Sequence, residues 1–278
     1  MFLEEFSLDA AGVFPPPPIP VHDAPALPAP GSLLGTGAAL FLGSNLFPAR
    51  TIRKRHHLSR VSLNVVAGGR SALFTGESLD QFDMDVFLCC VLKTLRREKP
   101  VRRSLREFVQ LLGRRPSPVT VRRLESSLFR LASARIELAD SRFGCCAQLV
   151  ESVLVDRELG VFRAQASPEA VAALRDVEGL GRLARLRFGV GPGPLLKWLA
   201  GLILVLGDEA CLLTMERLSS LCGWEGYDLR IFAARALPAL RSLVDIGYIH
   251  SMSQCPDGRI MILPGAGRRR AAECRLVW

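Results

Sequence analysis

Apolar residues recur along this chain with a period that alternates between helical and strand-like. Phe82, Val86, Phe87, Leu88, Val91 and Leu95 return every three or four positions, which predicts a helix over Asp80–Leu95 with Asp80 as its cap. Leu105, Phe108, Leu111 and Leu112 predict a short helix within Ser104–Leu112. Val121, Leu124, Leu128 and Leu131 predict a longer helix from Pro118 to Ala134, with Pro118 in its favoured first-turn position. Alternating residues then predict a hairpin of Arg135–Ala139, a turn at Asp140–Gly144, and Ala147–Val155. Upstream, Val61–Ala67 and Ala72–Thr75 around Gly68–Gly69 predict a smaller hairpin.

The same order returns 110 positions later. Ser104, Leu105, Phe108, Leu111, Leu112 and Gly113 align without a gap with Thr214, Met215, Leu218, Leu221, Cys222 and Gly223. Each copy reads as a short helix capped by a hydroxyl residue and closed by glycine. In the second copy the longer helix is Tyr227–Val244, with Leu229, Phe232, Ala236, Leu240 and Leu243 inward. Pro238 lies inside it and predicts a kink or a split. Tyr248–Ser251, a turn at Pro256–Gly258, and Arg259–Leu263 complete a second hairpin. Helix, turn, helix and hairpin, given twice, predict an α+β fold of tandem winged helix-turn-helix domains.

Gly189–Pro194 is the strongest internal break, so the domains are expected at 46–190 and 191–270, the second opening with the apolar helix Pro194–Leu206. Residues 271–278 are expected as a C-terminal tail. Residues 1–45 read as a disordered Pro-rich tail, since eight of the sixteen residues from Pro15 to Pro30 are proline.

Charge sharpens the picture. The net charge is +9, and the first 49 residues hold no Lys or Arg but four acids, −4 in all, so the remainder carries +13. Such a body seeks a polyanion. Basic residues gather first at Arg50–Arg60, including Arg53, Lys54 and Arg55, and again from Arg96 to Arg123, where ten bases meet two acids. Arg114 and Arg115 fall in the first turn. Thr120, Arg122, Arg123 and Arg130 fall on the expected outer face of the longer helix, and Arg142 at the hairpin tip. The first part of such a helix enters the major groove, which favours Thr120, Arg122 and Arg123 as base readers and the others as phosphate contacts. The second module offers Arg230, Arg235, Arg241 and Arg259. Glu225 and Asp228 in its turn would repel phosphate.

Other chemistry is thin. The eight cysteines contain no C-x-x-C pair and fit a reducing cytoplasm, and neither a metal nor another cofactor is expected. Asp80, Asp83 and Asp85 suit a helix start. No Walker A loop, H-E-x-x-H or G-x-S-x-G motif is present, so catalysis is not expected. Leu195–Leu206 is too short to span a bilayer and contains Lys197, and the acidic start Glu4–Glu5 is unlike a signal peptide, so no membrane partner is expected.

The stretch Leu73–Phe87, with Thr75-Gly76-Glu77-Ser78-Leu79-Asp80-Gln81-Phe82-Asp83, resembles the Thr-Gly-Glu-x-Leu-x-Gln-x-Asp pattern of the TrfA-type plasmid replication initiators. Leu149–Leu154 is similar to that family's return strand. The resemblance spans about Asn45 to Ile262. It implies a bacterial cytoplasmic protein that binds direct repeats (iterons) in duplex plasmid origin DNA and helps to melt an adjacent AT-rich segment. It also implies recruitment of the host initiator, replicative helicase and sliding clamp, and exchange between dimers and monomers. Pro238 and the few bases of the second module depart from the pattern, and Leu46–Phe47 is at best a fragment of a clamp-binding motif. The alternative reading is a winged-helix transcription regulator.

Overall fold

The computed structural model describes residues 37–66, 71–97, 101–139, 144–175, 177–189, 193–207 and 210–264. Helix α1 (Gly37–Leu42) leads to strands β1 (His57–Ser62) and β2 (Ser71–Glu77) and helix α2 (Gln81–Arg97). The first module continues with β3 (Val101–Ser104), α3 (Leu105–Leu111) and α4 (Pro118–Ser133). Strands β4 (Arg135–Ala139), β5 (Gly144–Gln148), β6 (Val150–Asp156) and β7 (Val161–Ala166) follow, then α5 (Pro168–Arg175) and α6 (Leu180–Gly189). The second module is α7 (Pro194–Leu206), β8 (Cys211–Leu213), α8 (Met215–Leu221), α9 (Leu229–Asp245), β9 (Ile249–Gln254) and β10 (Ile260–Pro264).

The duplication extends to sheet order. Sheet β3-β7-β6 in the first module and sheet β8-β10-β9 in the second are both antiparallel, and in both the short strand before the helix pair binds the last strand of the hairpin. The fold is therefore α+β, with two winged-helix units. Leu124, Leu128 and Leu131 of α4, and Phe232, Ala236, Leu240 and Leu243 of α9, are buried as the helical period requires. Gly113 and Gly223 close the paired short helices at φ +68 and +75. A side chain there would meet the Phe188 backbone or Pro48, so both chain reversals need glycine for conformation and for space.

Four expectations change. The Arg135–Ala139 hairpin is not the wing. Strands β4 and β5 extend the β1-β2 ladder into a four-stranded sheet, β1-β2-β4-β5, and the wing is instead β6-β7, which turns at Arg157–Gly160. Residue spacing marks hairpins but not which sheet they join. Second, Ser104 precedes α3 without a side-chain cap, whereas Thr214 Oγ1 accepts from the Arg217 amide at 3.1 Å. Third, of the kink or split expected at Pro238 the split does not occur: α9 is one helix through this exposed proline.

The fourth correction concerns the tail boundary at 45. Leu40, Phe41, Leu42, Leu46 and Phe47 are buried, and the Phe41 and Phe47 rings lie 5.2 and 5.8 Å from Phe87. Trp198 Nε1 of α7 donates to the Ser44 carbonyl at 2.9 Å. The apolar run after the prolines finds its partners on α2 and α7, far away in sequence. Leu46–Phe47 is therefore core, not an exposed clamp-docking motif. Phe47→Ala is expected to cost about 3–5 kcal/mol in chemical denaturation, the usual loss for emptying a buried aromatic site.

The break at 190 interrupts the sequence but not the core. A continuous set of buried side chains runs from α1 and α2 through α6 into α7 and α9.

Candidate nucleic-acid interface

The N-terminus of α4 is built by a reciprocal cap. Ser117 Oγ accepts from the Thr120 amide at 3.2 Å, and the Ser117 amide donates to Thr120 Oγ1 at 2.8 Å. Thr120 Oγ1 also donates to the Arg115 carbonyl at 3.1 Å. Thr120 is thus part of the cap rather than of the groove-facing surface, a correction to its expected place among the base readers. Exposed on the outer face are Val119, Arg122, Arg123, Ser126 and Phe129, with Val119 at 67% and Phe129 at 43% exposure. The apolar members were missed because periodicity alone assigns apolar side chains to the core.

Arg122 projects freely, whereas Arg123 is held. Its Nη2 lies 3.2 Å from Asp80 Oδ2 and its guanidinium stacks 4.4 Å from the Phe82 ring centre, yet 41% of the side chain remains exposed. A planar cation braced on one edge and one face, with the rest open, is pre-oriented for a two-pronged contact to a base or phosphate. Arg114 lies 5.4 Å from the same ring, and Arg115 is exposed beside it.

The carboxylates at the start of α2 hold the site together. Asp80 Oδ1 accepts from the Phe82 and Asp83 amides, which caps α2. Asp83 is fully buried and accepts from Arg130 at 2.7 Å, Ser127 at 2.6 Å and Arg55 at 2.8 Å. Burial raises its pKa and the neighbouring Asp80 adds to this, while Arg130 and Arg55 pull it down. Arg130 and Arg55 therefore brace α4 and the N-terminal segment against α2. Arg130, with 9% of its side chain exposed, is unavailable to DNA, and Arg55 nearly so. Both were expected at the interface. Helical position placed Arg130 outward, but its counter-ion is 47 residues away and invisible to periodicity.

Asp85 forms a second buried junction. Arg187 of α6 donates to Asp85 Oδ1 at 2.9 Å, to the Gln81 side chain at 2.9 Å and to the Lys197 carbonyl at 2.9 Å. Lys197 Nζ of α7 donates to Asp85 Oδ2 at 2.6 Å. Burial lowers the Lys197 pKa, and the Asp85 carboxylate opposes that shift. The charge that interrupts the apolar helix α7 thus ties the second module to the first.

Arg142 lies outside the described residues. The wing carries Arg157 instead, 76% exposed and 2.5 Å from Glu125 of α4. In the second module Arg230, Arg235 and Arg241 are exposed along α9, with Arg235 resting 5.4 Å from the Trp224 ring. Arg259 pairs at 2.6 Å with Asp257 in its own turn. The repelling acids have structural partners. Asp228 Oδ1 accepts from the Arg230 amide at 2.7 Å, and Glu225 accepts from Asn64 and Ser220 at 2.6 Å each. Arg53 and Lys54 are exposed. Among the described residues no group of three or more His, Cys, Asp or Glu can hold a metal ion, and no helix is long and apolar enough to cross a membrane.

No protein-family model and no curated protein matches the chain. Solved structures do. Domains 2–3 of RctB, residues 155–483, superpose with a TM-score of 0.59 at 9% identity, covering 83% of this chain and 98% of that one. A selenomethionine form of domains 2 and 3 of RctB gives 0.52 at 12% identity, covering 85% and 98%. The likeness is one of fold, and it runs through both modules.

Proposed function

We propose that this chain is a DNA-binding plasmid replication initiator. Two winged helices in one polypeptide read direct repeats in duplex origin DNA, help to open the adjacent AT-rich segment, and present the host initiator and replicative helicase with a loading platform. The observation that carries this reading is the repeated module with matching sheet order, whose first copy presents Arg115, Arg122 and Arg123 at the start of its recognition helix. The TrfA-type pattern at Thr75–Asp83 and the fold shared with RctB domains 2–3 support the same class. Two unequal modules in one chain suit a direct repeat read by a monomer. A symmetric operator calls for a symmetric dimer. Exchange between dimer and monomer would then control the active form. A sliding-clamp contact would use a segment other than Leu46–Phe47, which is buried.

Base contact is assigned to Arg122 and Arg123. Backbone contact is assigned to Arg114, Arg115 and the wing residue Arg157 in the first module, and to Arg230, Arg235, Arg241 and Arg259 in the second. The test is plasmid maintenance. A circle bearing only this gene, its flanking DNA and a selectable marker should replicate in a bacterial host. Repression of a promoter with no maintenance in any host tried would replace the initiator by a transcription regulator.

A further inference from the structure

The segment joining α1 to β1 forms one wall of a cleft between the two modules. The cleft is about 690 Å³ in volume, and Arg50, Arg53, Lys54, His56 and Arg235 line it with no carboxylate among its walls. It shares Arg50, Thr51 and Pro194 with a smaller hollow that reaches Arg114 and Arg123. A basic path therefore runs from the first recognition helix to the second. The two acids in the smaller hollow, Asp80 and Asp85, are already engaged by Arg55, Arg123, Arg187 and Lys197.

The segment is rigidly seated. The Ala49 amide donates to the Cys222 carbonyl at 2.8 Å, and Trp224 Nε1 donates to the Ala49 carbonyl at 3.1 Å. Arg50 donates to the Tyr227 hydroxyl at 2.8 Å. At the other end Arg55 is fixed by Asp80 and Asp83, and the His56 amide donates to Ser78 Oγ at 3.2 Å. Arg50 and Arg55 are spent on anchoring. Arg53 and Lys54, at the tip between the anchors, are exposed and have no partner among the described residues. Two adjacent cations held at both flanks over an acid-free cleft need little ordering to meet an anion.

We infer that this cleft takes one phosphodiester strand of the duplex between the grooves read by the two modules, with Arg53 and Lys54 as its backbone clamp. The inference rests on the nucleic-acid reading above. It adds a third contact belonging to neither helix-turn-helix. The contact should strengthen binding without altering sequence preference.

The test uses the full chain on a duplex selected from a random pool, titrated over salt, beside the double variant Arg53→Ala/Lys54→Ala. Both side chains are exposed, so the variant should fold. Wild type is expected to show a log–log slope near about −5, and the variant a slope shallower by about 2, with about 10- to 100-fold weaker binding at 0.1 M salt. Its selected sequence should be unchanged. Equal slopes and affinities in the two proteins, or a changed sequence preference in the variant, would overturn the clamp while leaving the duplex reading intact. A flat salt response in wild type would remove the duplex reading itself. The same phosphate chemistry could come from a free nucleotide, so ATP is titrated in parallel. No saturable binding below millimolar concentration is expected. Micromolar ATP binding lost in the variant would make the cleft a nucleotide pocket and overturn the strand assignment.

Discussion

Asp85→Ala is expected to destabilise the protein by about 3–5 kcal/mol, because it strands two cations in the core. The Arg187 and Lys197 side chains are 2% and 4% exposed and share this carboxylate. Removing it leaves their charges without a counter-ion, and only Gln81 and a carbonyl remain for Arg187. Lys197 would respond by losing its proton more readily, since burial already lowers its pKa. Urea denaturation should show a lower midpoint. The variant Asp85→Ala/Lys197→Met, which keeps an apolar side chain in the place of the stranded ammonium, should recover part of the loss. If Asp85→Ala unfolded at the wild-type midpoint, the junction would not hold the modules together.

Replacing Arg114, Arg115, Arg122 and Arg123 together by Ala is expected to weaken duplex binding by about 100- to 10,000-fold while the protein stays folded. The size follows from about 1–3 kcal/mol for each base-reading arginine, with the phosphate contacts added. Stability should survive because Asp80 keeps its pairing with Arg55 when Arg123 is removed, and because Arg122 is exposed and forms no hydrogen bond or ion pair among the described residues. Arg122→Ala alone should relax sequence preference, and so should Arg123→Ala. Asp80→Asn offers a subtler probe. It keeps Arg123 but weakens its brace, and should loosen preference with a smaller loss of affinity. Gel-shift titration of each variant against selected and scrambled duplexes measures both quantities.

Helices α2, α3, α4, α7, α8 and α9 were legible in the sequence because each carries an apolar face, whereas α1 falls in the stretch read as a tail. Leu124, Leu128 and Leu131, or Phe232, Leu240 and Leu243, are enough to place them. The duplication was legible because its glycines perform the same sharp reversal in both copies. The strands were legible only in part. β4 was found, but Ala147–Val155, read as one return strand, is divided between β5 and β6, and β3, β7 and β8 were not read as strands; only the ladder of β7 to β3 and β6 identifies the wing. The candidate interface residues divided along the same line. Arg122 needs only an exposed helix face, and that much is periodic. Arg130, Arg55 and Thr120 were misplaced because their roles depend on Asp83, Asp80 and Ser117, and for the two arginines those acids come from other elements. Of the aspartates in the TrfA-like stretch, Asp80 does cap α2, while Asp83 and Asp85 are also the counter-ions that join α2 to α4, α6 and α7.

The central claim is that one chain brings two DNA-reading modules to one duplex. Hydroxyl-radical footprinting of the full chain on a selected duplex, with the protein-to-DNA ratio measured by native mass spectrometry, tests it most directly. One chain per site and two protected segments on the same face of the helix are expected, and the quadruple variant of Arg114, Arg115, Arg122 and Arg123 should lose the segment read by the first module before the other. A single protected segment per chain, or protection seen only with two chains on an inverted repeat, would contradict it.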